Sequence, residues 1–148
     1  MSVPRRIKFT IESELESVPL VGTAINKICS IIPLSEVESY QAELCVVEAC
    51  NNAIKHAYGN EPGHEVEVEV LLYADKVVFD ICDTGKTMEG ELRRTLNFNP
   101  DDLAQVPEGG MGLFIIHDIM DKVTYQHRDG HNVLRMVKHF TPKSRKER

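Results

Sequence analysis

The sequence predicts an α+β domain, with helices laid against a sheet that keeps one side in water. Three stretches carry that prediction. Residues 65–70 read Glu-Val-Glu-Val-Glu-Val, so Val66, Val68 and Val70 share one face and three glutamates the other. Residues 44–56, placed at 100° per residue, gather Val46, Ala49, Cys50, Ala53 and Ile54 on one side. Arg128-Asp129-Gly130 joins two strand-like runs, 123–127 and 132–139, as a hairpin.

Taken in order, residues 6–11 alternate polar and apolar, a half-buried first strand. Val21, Ala24, Ile25, Ile28, Cys29 and Ile32 fall at helical spacing within 19–32, and Pro33 ends that helix. Ser35 is an N-cap candidate for the next helix, with Glu38 as the return half of a capping box. This helix runs to Tyr58-Gly59-Asn60, with Pro62 and Gly63 beyond. After the 65–70 strand the chain turns at residues 73–76 and returns as the strand 77–83. Period two puts Phe79, Ile81 and Asp83 on one face of it. Residues 86–108 carry Pro100, Pro107 and many charges without a period, a connection long enough to be a functional lid or disordered. Glu108-Gly109-Gly110-Met111-Gly112 then opens a short helix predicted to reach Asp121, and the basic tail 141–148 is expected to fray.

One domain is expected over residues 1–148, since no repeat or long linker divides the chain. Hydrophobic content of 42% and charged content of 27% are those of a soluble globular protein. A net charge of −6 argues against nucleic acid as a partner. No apolar run is long enough to span a bilayer and no signal peptide is visible, so a membrane location is not expected. Cys29, Cys45, Cys50 and Cys82 lack metal-ligand spacing, and a reduced, cytoplasmic setting is the simplest reading.

Chemistry concentrates in three places. Opposite the apolar side of the second helix stand Glu48, Asn51, Asn52 and Lys55, a carboxylate, carboxamides and an ammonium about a turn apart. Two adjacent asparagines are poor helix formers, so helix stability does not explain them. Asp83 points inward at a strand end, which is costly unless something binds it. Thr84-Gly85 follows, and the glycine admits a close neighbour; the same triplet is also common in simple turns. The glycines before the late helix expose N–H groups at its positive end, a seat for phosphate, although a plain loop accounts for that pattern equally well.

In this order and spacing, EACNNAIKHAY, DTG and GGMGLFII resemble the GHKL ATP-binding superfamily over roughly residues 5–140, and within it the stand-alone anti-sigma-factor serine kinases. The resemblance implies a Bergerat-type two-layer α/β sandwich, with helices on one face of a mixed, mostly antiparallel sheet. It implies ATP and Mg²⁺ as cofactors, with Asn52 as magnesium ligand and Glu48 as general base. Asp83 is then the acceptor for the adenine amino group, and Gly85 lets the base lie against the backbone. Gly110 and Gly112, with Met111 and Leu113 beside them, bound the phosphates, while Lys55 either supplies a point charge or is merely solvated. His56 matches a position implying packing or capping. Arg93 and Arg94 reach phosphate or a partner, or form a solvated pair. Two departures stand out: Lys86-Thr87-Met88 follows Asp83-Thr84-Gly85 where the family shows a glycine or proline, and Asn132 stands near a usual threonine. The implied partners are a sigma factor, held inactive, and a STAS-domain antagonist phosphorylated on serine; members commonly form homodimers. No histidine precedes His56 and the chain ends at Arg148, which sets expectation against histidine kinases and the large gyrase-like and chaperone-like machines. A nucleotide-shaped binding module and a simple ATPase remain the alternatives.

Overall fold

The structure, a computed structural model, describes residues 3–88 and 111–142. Most of the expected lid, with Arg93, Arg94 and Gly110, and nearly all of the basic tail lie outside those residues. The strands are β1 (Arg5–Glu12), β2 (Glu65–Leu72), β3 (Lys76–Asp83), β4 (Lys122–Arg128) and β5 (His131–His139); the helices are α1 (Val18–Cys29), α2 (Glu36–Asn52) and α3 (Met111–Ile119).

The five strands form one sheet in the order β1-β2-β3-β5-β4, and each of the four pairings is antiparallel. Register carries the alternation of β2 across the sheet. Ile7 and Phe79 flank Val70, and Phe9 and Ile81 flank Val68. These inward side chains join Ile25, Val46, Cys50, Leu113 and Ile116 in a single buried core, so the helices cover one face. The other face is polar. There Arg6 pairs with Glu69, Lys8 with Glu67, and Arg135 with Asp80. The hairpin between β4 and β5 turns on Asp129 and Gly130, both at positive φ (53° and 77°), as a tight primed turn requires.

α1 begins one residue earlier than expected and ends at Cys29, three residues early; residues 30–32 close as turns. α3 stops at Ile119 and does not reach Asp121, whose N–H instead donates to the Val137 carbonyl. The capping box of α2 forms as expected: Glu38 N–H donates to Ser35 Oγ at 3.0 Å, and Ser35 N–H to Glu38 Oε1 at 2.9 Å. The far end of that helix differs from expectation. It does not run on to Tyr58 as an α-helix; residues Ala53–Ala57 form a π turn, closed by Tyr58 N–H donating to the Ala53 carbonyl at 3.1 Å.

Candidate functional site

The π turn shapes the wall of a cavity of about 260 Å³, close to the lower end of small-molecule sites at about 300 Å³. Ala49, Asn52, Ala53, His56 and Ala57 of the second helix form one side; Ile81, Asp83, Leu134 and Tyr125 of the sheet form another. A π turn holds more residues than an α turn, so the side chain four positions on stays beneath Asn52 and the one three positions on swings away. Hence His56 lines the cavity. Lys55 is exposed and does not. Sequence periodicity of 100° per residue gave no sign of this exchange.

Asp83 faces the cavity from the end of β3 and is buried. Its Oδ1 accepts from Gly85 N–H at 3.0 Å and from Asn132 Nδ2 at 2.7 Å. Oδ2 has no hydrogen-bond partner among the described residues. Burial pushes the Asp83 carboxyl above its ordinary value, against the lowering effect of Asn132, Gly85 and, more weakly, His127. The strand end is therefore more than a turn cap: one oxygen is anchored, and the other has no partner among the described residues.

Gly85 is required by close packing. A Cβ there would overlap the Ala57 carbonyl and the Tyr58 ring. The chain is strapped to the π turn beside it, with Lys86 N–H donating to Ala57 O at 2.8 Å and Thr84 N–H to Tyr58 Oη at 2.9 Å. Tyr58 in turn donates to the Glu65 carbonyl at 2.6 Å and stacks on His64. Lys86, Thr87 and Met88, the departure from the family pattern, line the cavity, and Met88 N–H donates to Tyr125 Oη at 2.8 Å. The threonine-to-asparagine departure is also accounted for, since Asn132 is fully buried behind Asp83.

Glu48 and Gly112 meet beside this cavity and not in its wall. A Cβ at Gly112 would lie 2.5 Å from Glu48 Oε2, so the carboxylate sits against the first turn of α3, where backbone N–H groups lack intrahelical acceptors. Leu113, next along, lines the cavity and is buried. Met111 begins α3, while Gly110 is outside the described residues. Thus Asn52, Asp83 and Leu113 share one cavity. Glu48 and Gly112 form an adjoining corner, Gly85 underlies the strap, and Lys55 stands apart. His56, Tyr125 and Met88 are among the wall residues that sequence reasoning did not assign to the site.

Burial raises the Cys29, Cys45 and Cys50 thiols to about 12 and Cys82 to about 11, which leaves them protonated at neutral pH. All four are free. Among the described residues no helix is long and apolar enough to cross a membrane.

The model of the histidine kinase-like ATPase domain matches residues 11–138. The serine-protein kinase RsbW of Listeria monocytogenes serovar 1/2a is 30% identical, over 96% of this chain and 92% of that protein. The serine-protein kinase RsbW of Halalkalibacterium halodurans is 29% identical, over 91% of this chain and 83% of that protein. In three dimensions the chain is similar to one in the SiaB-SiaC complex from Pseudomonas aeruginosa, with a TM-score of 0.71 over 88% of each chain at 14% identity. That likeness speaks to the fold. From the match over most of its length, the chain belongs to the histidine kinase-like ATPase family, among its serine-protein kinases.

Proposed function

We propose that the protein is a cytoplasmic, Mg-ATP-dependent anti-sigma-factor kinase that sequesters a sigma factor and phosphorylates a serine of a STAS-domain antagonist. The observation that carries the nucleotide reading is Asp83, in the wall of a cavity whose opposite wall holds Asn52, with Oδ2 unpartnered among the described residues. An adenine amino group would donate to that oxygen. Guanine would set a carbonyl against it, so ATP is preferred over GTP. Gly85 lets the strap that follows Asp83 pack against Ala57 and Tyr58, which sets Lys86, Thr87 and Met88 along the cavity.

Among the described residues no group of three or more His, Cys, Asp or Glu could hold a metal alone. One carboxamide suits Mg²⁺, which keeps waters and takes most of its charge compensation from phosphates; Asn52 would hold it. When bound, the ion neutralises charge on the transferring phosphoryl group. Glu48 takes the proton from the attacking serine hydroxyl, whose oxygen bonds the γ-phosphorus as the bond to the ADP oxygen breaks. Gly112 brings the α3 backbone to that corner; the sequence motif would add Gly110 and Met111 to the phosphate seat, and Lys55 is available as a distal charge. The relatives' name, serine-protein kinase, supports serine as acceptor.

The test is incubation with labelled Mg-ATP and candidate STAS proteins, repeated with Glu48→Gln. The expected result is label on a partner serine, reduced about 100- to 10,000-fold in the variant, the range of general-base catalysis. Nucleotide binding without transfer would point to a binding module instead. Phosphate release without a partner would point to an ATPase.

A further inference from the structure

Behind Asp83 runs a chain of polar side chains that leads out to solvent. Its directions follow from the acceptors at its inner end. Asn132 faces two of them, Asp83 Oδ1 at 2.7 Å and the Gly85 carbonyl at 3.1 Å. Neither can donate when Asp83 is ionised, so the Asn132 amide must turn its Nδ2 toward both. Its Oδ1 then points to His127 Nδ1 at 2.7 Å and to Thr87 Oγ1 at 3.2 Å. His127 must carry its proton on Nδ1 to serve that oxygen, and Thr87 Oγ1 lies 3.2 Å from the same ring nitrogen.

The consequence is an amide with all four hydrogen-bonding positions filled and no freedom to flip. A flipped Asn132 would set its oxygen against the Asp83 carboxylate, and Asp83 would rotate to escape it. Asn132 is fully buried, which makes any unsatisfied atom there costly, whereas His127 is exposed and free of the core. The register explains the alignment, because Asp83 pairs with Asn132 across β3 and β5, and Asn132 with His127 across β5 and β4.

We infer that His127 and Thr87 are positioning residues for nucleotide choice: acting through Asn132, they hold Asp83 with Oδ2 turned to the base and so set the discrimination for a 6-amino purine. This inference rests on reading the cavity as an adenine site. His127 lies outside the cavity wall and Thr87 within it; in this role both fix the acceptor that meets the base.

Calorimetry with Mg-ATP and with Mg-purine riboside triphosphate, which lacks the exocyclic amino group, tests it. The wild-type protein should prefer ATP. His127→Leu, at a residue outside the cavity wall, should cut that preference about tenfold while binding of the analogue stays level. His127→Asn, whose amide nitrogen can replace Nδ1, should restore most of it. In an Asp83→Asn background His127→Leu should have no further effect. If Asp83→Asn abolishes the preference and His127→Leu keeps it, the inference is overturned while the adenine site stands. Equal weakening of both nucleotides would also overturn it, since that is the mark of general structural damage. Should the wild-type protein fail to discriminate and Asp83→Asn change nothing, the adenine reading itself falls.

Discussion

Two aspartates three residues apart on β3 are both buried, and the fold treats them in opposite ways. Asp80 points to the open face of the sheet, where Arg135 closes on it with two parallel hydrogen bonds of 2.8 Å from Nε and Nη2. Both of its oxygens are spent. Asp83 points to the helical face and, among the described residues, meets only neutral donors, both on one oxygen. The odd spacing puts the two on opposite faces, and the cross-strand partner then decides each fate: Arg135 opposite Asp80, Asn132 opposite Asp83. A buried carboxylate with a cation is a finished structural element. One with a single anchored oxygen is poised to bind.

The contrast can be broken most severely at Gly85. Gly85→Ala sets a Cβ against the Ala57 carbonyl, a backbone atom that cannot turn aside. Overpacking of this kind costs about 1–3 kcal/mol of stability. Because the strap carries the cavity floor, phosphotransfer should also fall on the order of 100-fold. Thermal melting and a transfer assay check the two parts separately.

Asp83→Asn is the next largest. It keeps an acceptor for Gly85 and Asn132 but replaces the free oxygen, so ATP affinity should drop about 10- to 100-fold, the worth of a hydrogen bond to a charged group. Stability should not fall with it. Burial raises the Asp83 carboxyl, so the fold favours its protonated form, and the stability it contributes is present below the unfolded value and lost as pH rises through the folded one. At neutral pH the asparagine variant should therefore melt at or above wild type, with the gap closing as the solution is acidified. Unfolding curves between neutral and acid pH would show it.

The same shift predicts a pH effect on binding. ATP affinity should decline on acidification through a value above the ordinary aspartate pKa of about 3.9, because protonated Asp83 no longer offers a bare acceptor. Calorimetric titration across that range, with Asp83→Asn showing no such decline, assigns the effect to this group. Smallest of all is Asp80→Asn. Arg135 is half-exposed, so the pair is partly screened, and its loss should cost only about 1 kcal/mol with ATP affinity unchanged. A change in ATP affinity comparable to that of Asp83→Asn would erase the distinction between the two sites.

Much of this was readable in the chain. The capping box at Ser35, the strict alternation of 65–70, the primed turn at Asp129-Gly130 and the inward aspect of Asp83 all follow from short-range rules: capping geometry, period two, and the left-handed conformations that Asp and Gly tolerate. The exchange of Lys55 for His56 in the cavity wall was not readable, because a π turn inside an apparently regular helix leaves no mark in the spacing of apolar residues. Nor was the corner of Glu48 and Gly112, which are 64 positions apart and meet only because α3 packs on α2.

The sequence by itself determined which residues would be helical, which would be strands, and which face of each would be apolar, since those depend on neighbours within a turn or a pleat. Only the tertiary structure decided that Asp83 has one oxygen anchored and the other unpartnered among the described residues, that Asn132 fills the place behind it, and that Gly85 lies hard against the second helix. Those outcomes depend on which strands pair and in what register, and cross-strand register is set by the burial of the whole sheet at once.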